Sequence, residues 1–256
     1  MKRKNIKKYI GEFLASAFIS FWGLGIAVPY AVFGYVSNLF EYALWFGLAC
    51  ALSGIIFAPI SGGHANAGIT LSQALFGGFD KKQVLPYWIS QTLGWGFGIL
   101  PVFLIFNNVL DRWTSETGQI PFELFYCSTA KEDVLAAACV EIIMTALLNF
   151  SVFFFQDERI PNRPSKAVCP WVIGIVISLA IAFGGGFTGT CMNPSRDLGP
   201  RIMGLVYGLM KGYDVSGIFA GGQWLMYILA PLLGAVLGGV FHFGVIIKLL
   251  PEKQEV

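Results

Sequence analysis

The chain has 256 residues, 55% hydrophobic and only 12% charged, with a formal net charge of +2 and a mean hydropathy of +0.66. Soluble domains carry about a quarter of their residues as charges, so this composition excludes a water-soluble globular protein and points to a membrane protein. No nucleic-acid partner is expected.

A run of about 20 apolar residues crosses roughly 30 Å of hydrocarbon. Such runs lie near 9–32, 41–60, 84–107, 133–155, 168–187 and 222–247, and they use up the chain without leaving room for a soluble catalytic domain. The fold class expected is an all-α membrane protein of six transmembrane helices. The first span follows Lys2, Arg3, Lys4, Lys7 and Lys8 and opens with Gly11-Glu12-Phe13, a carboxylate about one turn into the membrane. Its start imitates a signal peptide, but the apolar run is long and lacks a small-residue cleavage site, so a retained span is expected. The second span ends in Ser61-Gly62-Gly63-His64-Ala65. That glycine-rich run is not helical throughout, and its carbonyls need partners at membrane depth. A half-helix from Ala67 to about Phe76 follows, and Gly77 to Lys82 returns the chain to the face it came from.

The third span runs from Val84 to about Asn107 and leads into a long segment, 108–132. The fourth opens with Val140-Glu141-Ile142, again with a carboxylate near the membrane edge. After the fifth, Gly184-Gly185-Gly186-Phe187-Thr188-Gly189 plays the part of the first carbonyl run, and Asn193-Pro194 reads as a helix start with Asn as cap and Pro in the first turn. The stretch Gly189 to Arg201 places an amide, two arginines and a carboxylate in some of the most apolar sequence of the chain. Such groups are costly in a membrane and mark function.

Lys81, Lys82, Arg159, Arg163, Lys166, Lys248 and Lys253 join the basic start on one face. The positive-inside rule makes that face cytoplasmic and predicts a multi-pass protein of the cell membrane with both termini inside. The other face holds Arg112, Lys131 and Lys211 with Asp111, Glu116, Glu123, Glu132 and Asp133. Glu12 leads Asn66 by about the interval by which Glu141 leads Asn193, an internal duplication with three spans per copy. An odd number of spans makes the copies face opposite ways, which is the inverted-repeat arrangement with a site at mid-membrane. Repeats at about 6–107 and 133–247, joined by external loop 108–132, are expected to form one transmembrane channel domain over 1–256.

Cys50, Cys139, Cys169 and Cys191 fall in or beside spans and only Cys127 lies in an external loop, which argues against a disulfide framework. No cysteine pair has metal-ligand spacing, and His64 and His242 lie in opposite halves. No metal and no cofactor are expected, and an enzyme reading has no nucleophile with a base, no metal cluster and no phosphate loop behind it.

With these residues laid out, the chain resembles the aquaporin (major intrinsic protein) family, and within it the aquaglyceroporin branch of bacterial glycerol facilitators. The resemblance runs from Gly11-Glu12-Phe13 through the last span. It is most specific at Met192-Asn193-Pro194-Ser195-Arg196-Asp197-Leu198-Gly199-Pro200-Arg201, close to the family's second Asn-Pro-Ala box, and at Phe79-Asp80-Lys81-Lys82 with Pro86 and Ser90-Gln91. It implies two re-entrant half-helices, a homotetramer with one pore per subunit, and facilitated diffusion of a small neutral solute such as glycerol or a related polyol, alone or with water, through the lipid bilayer while ions and protons are excluded. Asn66 and Asn193 then present amide donors to the solute, and Arg196 is the donor of a narrow external constriction. Counted from the boxes, the other constriction positions fall at Phe46, Ile181 and Thr190, with Trp45 the next candidate after Phe46. Glycerol facilitators carry two aromatics and a glycine there. The first box departs from the family, reading Asn66-Ala67-Gly68 without its proline. Ala67 and Gly68 start a helix less firmly, by about 1 kcal/mol for the glycine, and a looser midplane is expected.

His64 is expected at the cytoplasmic mouth and His242 to pack in the last span. Glu12 and Glu141 read either as acceptors for the non-helical amides of the re-entrant loops or as a proton relay, and the family favours the first. Cys191 lies close enough to the pore for mercurial block. Two alternatives stand beside the glycerol channel: a channel specialised for a diol, urea or a neutral hydroxy acid, motivated by Ile181 and Thr190, and a proton-coupled carrier using Glu12 and Glu141.

Overall fold

The computed structural model describes residues 2–127 and 133–250, with side chains from residue 5 onward. The side chains of Lys2, Arg3 and Lys4, and the residues Lys131, Glu132 and Lys253, lie outside the described residues. The helices are α1 (Lys2–Ile19), α2 (Ala27–Ala31), α3 (Leu39–Ser61), α4 (Ala67–Phe76), α5 (Val84–Gly98), α6 (Leu100–Thr117), α7 (Val134–Gln156), α8 (Cys169–Thr188), α9 (Pro194–Lys211), α10 (Gln223–Phe241) and α11 (Ile247–Leu249). A π-helical turn at Ser20–Leu24 carries α1 toward α2, and another at His242–Ile246 joins α10 to α11. Six segments are long and apolar enough to cross a membrane: Asn5–Ala31, Leu39–Ser61, Lys81–Thr117, Val134–Gln156, Cys169–Thr188 and Ala220–Leu249.

Two boundaries differ from the sequence reading. The third span does not end near Asn107 but continues as α6 to Thr117. Phe103 and Leu110 lie two turns apart on one buried stripe, and Asn107 and Asp111 are held by Tyr207, Lys211 and Tyr213 beyond the core. The second unwound run does not begin at Gly184, because α8 stays helical through Gly184, Gly185 and Gly186 and the break falls at Gly189–Met192. Gly184 is there for closeness: a Cβ on it would stand 2.8 Å from both Thr190 Oγ1 and Val140 Cγ1.

Lipid tails give helices no hydrophobic reason to associate, so the bundle relies on backbone approach at small residues. The most extensive pairings are α7 with α10, α3 with α8 and α1 with α5. At each, added Cβ atoms would strike a facing carbonyl: Gly234 and Gly238 meet Ile142 and Ala146, Gly47 and Gly174 meet each other, and Gly94 and Gly98 meet Phe13 and Ala17. The short helix α4 and the start of α9 lie between these pairs, against α10 and α5 respectively.

Candidate functional site: the paired re-entrant loops

The two re-entrant loops are built alike. Helix α3 stops at Gly62 and α8 at Gly189, each in the left-handed conformation at φ 95 and φ 74, where a side chain is strained. The chain then unwinds through Gly63, His64 and Ala65 in one loop and Thr190, Cys191 and Met192 in the other. Ala65, Thr190 and Met192 hold positive φ of 45, 46 and 51 despite their side chains, a conformation costing on the order of 1–3 kcal/mol per residue. Two buried carboxylates offset that cost. Glu12 accepts hydrogen bonds from the amides of His64 at 3.0 Å and Ala65 at 2.8 Å and from Gln91 Nε2 at 2.7 Å. Glu141 accepts from the amides of Cys191 at 2.8 Å and Met192 at 2.9 Å and from Thr188 Oγ1 at 2.7 Å. Both side chains are 0% exposed, and every donor named is a protein group.

The unwound runs end on Asn66 and Asn193. Asn66 Oδ1 caps α4 by accepting from Gly68 N at 2.8 Å and Ile69 N at 3.3 Å, and Asn193 Oδ1 caps α9 by accepting from Ser195 N at 3.0 Å. Each amide nitrogen also donates to the opposite loop, Asn66 to Met192 O and Asn193 to Ala65 O, both at 2.9 Å. An amide nitrogen carries two hydrogens, so one on each Asn remains for the lumen. The residues of the altered first box tighten this junction. Ala67 keeps the N–H that proline lacks and donates it to Asn193 Oδ1 at 3.3 Å. A Cβ on Gly68 would lie 3.2 Å from Ala235 Cβ, so Gly68 brings α4 against α10 instead of widening the lumen. The two helix N-termini therefore meet, each bearing about half a positive charge.

A cavity of about 1050 Å³ is lined by Asn66 and Asn193 of this junction and also by Phe46, Arg196, Arg163 and Lys166. Phe46 is buried, stacks on Trp95 at 6.3 Å between centroids, and has the Arg196 guanidinium 5.9 Å from its ring centre. Trp45 turns away, 44% exposed, with its Nε1 donating to Trp22 O. Arg196 Nη1 donates to Phe125 O at 3.2 Å. Ile181 and Thr190 are buried nearby but are not among the residues lining the cavity. The Thr190 hydroxyl donates to Ala180 O at 3.4 Å, along α8. His64 lines the cavity, with Nδ1 3.1 Å from Thr70 Oγ1 and its ring against Phe79 and Tyr87.

Sequence reasoning missed several supports. Gln91 ties Glu12 to Thr70, and Trp95 donates from Nε1 to Ala65 O at 2.9 Å while walling the cavity. Asn149 of α7 accepts from Ser72 Oγ of α4 at 2.6 Å. Asp197 pairs with Arg201 rather than with adjacent Arg196, because residues four apart share a helix face and neighbours do not. Buried His242 packs against Phe153 and Phe243, as expected of a packing residue, but its Nε2 also lies 2.8 Å from Asp157 Oδ2. Arg159, bonded to Asp157, holds that carboxyl well below the ordinary carboxylate range.

The family model for the major intrinsic proteins matches residues 1–242. The chain belongs to this family. Among relatives of this major intrinsic protein, the glycerol uptake facilitator of Haemophilus influenzae is 30% identical, covering 90% of this chain and 89% of that one. The propanediol uptake facilitator of Salmonella typhimurium is 31% identical, covering 94% of each. The aquaglyceroporin of Plasmodium falciparum superposes with a TM-score of 0.85 at 25% identity, covering 96% of this chain and 98% of that chain.

Proposed function

We propose that this chain is a passive channel for small uncharged polar solutes, glycerol or a related polyol, that excludes ions and protons. The observation that carries this reading is the single cavity lined by Phe46, Arg196, Asn66, Asn193, Arg163 and Lys166 together. Along it a hydroxyl meets a fixed guanidinium donor and then one amide hydrogen from each Asn. A cation meets the same guanidinium and two positive helix ends in a low-dielectric passage. The saturation of Glu12 and Glu141 by protein donors favours the acceptor role over proton coupling. The basic face, with Lys81, Lys82, Arg159, Arg163 and Lys166, supports cytoplasmic termini in a cell membrane. We read the two halves as inverted repeats and the assembly as a homotetramer.

A second reading within the same class is a channel that favours a diol over glycerol. It is supported by the propanediol facilitator among the relatives. Stopped-flow light scattering on proteoliposomes tests both readings. Uptake of glycerol, 1,2-propanediol or urea is expected to rise linearly with gradient and to ignore a proton gradient. Saturating, proton-driven uptake would replace the channel by a carrier. Phe46→Ala is expected to change the ranking of the solutes, and Trp45→Ala to leave it as in the parent. The reverse pattern would move the constriction to Trp45.

A further inference from the structure

Cys127 and Cys191 lie far apart in the chain. Folding puts the two in one buried cluster with Tyr227 and Met226. Cys127 is 2% exposed and Cys191 4% exposed. Cys191 Sγ donates to Asn193 O at 3.0 Å. A Cβ placed on Gly189 would sit 3.3 Å from Cys127 Sγ, so the bare glycine lets the Cys127 segment settle on the second re-entrant loop. Both cysteines are reduced in the structure.

Each is anchored to the constriction. The Cys127 amide donates to Asp197 Oδ1 at 2.8 Å and its carbonyl accepts from Arg201 Nη2. The carbonyl of Phe125, two residues before it, accepts from Arg196 Nη1. Cys191 is held by Glu141 at 2.8 Å and also lines the cavity, so a small neutral molecule in the lumen reaches it. Cys191 stands just before Asn193, the N-cap of α9.

We propose that Cys127 and Cys191 form an oxidisable dithiol at the outer constriction, closed to a disulfide by a hydroperoxide entering the lumen, and that closure reduces solute flow. The Cys191 sulfur attacks a peroxide oxygen as its thiol proton passes to the departing oxygen, giving a sulfenic acid and releasing water from hydrogen peroxide. The Cys127 sulfur then displaces the sulfenic oxygen as a second water, forming the S–S bond. The thiols lose two electrons and two hydrogens, which the peroxide takes up. The link draws the Phe125–Cys127 segment toward the second loop and with it the carbonyl that positions Arg196. In the orientation proposed above this is the external face, where disulfides persist.

The test uses the full-length protein in proteoliposomes treated with hydrogen peroxide and then with dithiothreitol. The expected result is an intact mass lower by two hydrogens, a peptide linking positions 127 and 191, and a several-fold fall in solute flux that dithiothreitol reverses. Cys127→Ser and Cys191→Ser should each abolish the link and the peroxide-induced change in flux. An unchanged mass, or a disulfide between other cysteines, overturns the dithiol. A link formed without a change in flux overturns its coupling to the constriction. The consequence for flow rests on the channel reading, whereas the mass measurement does not, so absence of flux in both redox states beside a correct link would count against that reading alone.

Discussion

At the residue scale the heaviest burden falls on the two carboxylates. Glu141 brings one acceptor oxygen to Cys191 N and the other to Met192 N, and those amides belong to a loop containing two positive-φ residues, Thr190 and Met192. Glutamine would turn an NH2 toward one of these N–H groups and leave it unsatisfied, at about 1–3 kcal/mol. Glu141→Gln is therefore expected to lower the thermal midpoint in detergent and the solute flux together, without giving flux a new pH dependence. A variant that keeps both at parental values would return Glu141 to the status of a replaceable residue. Glu12 and Glu141 were visible in the sequence because a lone carboxylate in an apolar run is conspicuous. Gln91, which completes the shell of Glu12, gave no such signal, since a neutral amide in a polar-flecked helix reads as ordinary until its neighbours are known.

At the scale of elements, helix packing is decided by which glycines meet. Gly47 of α3 and Gly174 of α8 lie so close that a Cβ on either would enter the other's backbone carbonyl. Gly174→Ala would also press on Ala51 Cβ, 2.9 Å from the added atom. Overpacking of this kind costs about 1–3 kcal/mol, and because α3 carries Phe46, a shift of the pair also moves that ring against Arg196. Gly174→Ala is expected to lower thermal stability and solute flux, and Gly217→Ala, where an added Cβ meets nothing within 4 Å, to leave both unchanged. Helix propensity alone would predict the opposite order for Gly174, since alanine favours a helix interior. The break after α8 was misplaced by the same kind of local reading: three consecutive glycines suggest unwinding, yet all three stay helical, Gly184 serves close approach, and the single left-handed Gly189 ends the helix.

At the scale of the whole molecule, the loop between α7 and α8 is tied to the end of α10. Asp157 accepts from Arg159 and from buried His242, and the same loop brings Arg163 and Lys166 to the mouth of the cavity. The lowered Asp157 pKa means that its contribution is present throughout the neutral range and fades only in strong acid, as the pH falls through the native value. Asp157→Ala leaves His242 without that partner inside a cage of phenylalanines, a loss of about 1–3 kcal/mol. The thermal midpoint should fall by about 2–4 °C for each kcal/mol lost. An unchanged midpoint would show that the aromatic cage alone holds the loop.

Six spans, two re-entrant Asn elements, two membrane carboxylates and the arginine after the second box were determined by the sequence itself. Each is a local property: hydropathy over about 20 residues, a cap followed by a helix former, or a charge that apolar neighbours make expensive. Tertiary structure decided which groups meet. It paired Asp197 with Arg201, set Trp95 behind Phe46, crossed the Asn66 and Asn193 amides onto opposite loops, gave His242 an acid and brought Cys127 to Cys191. Apart from the Asp197–Arg201 turn, these contacts join segments far apart in the chain, where a buried polar or thiol group can find several partners. Only the close packing of the helices selects one.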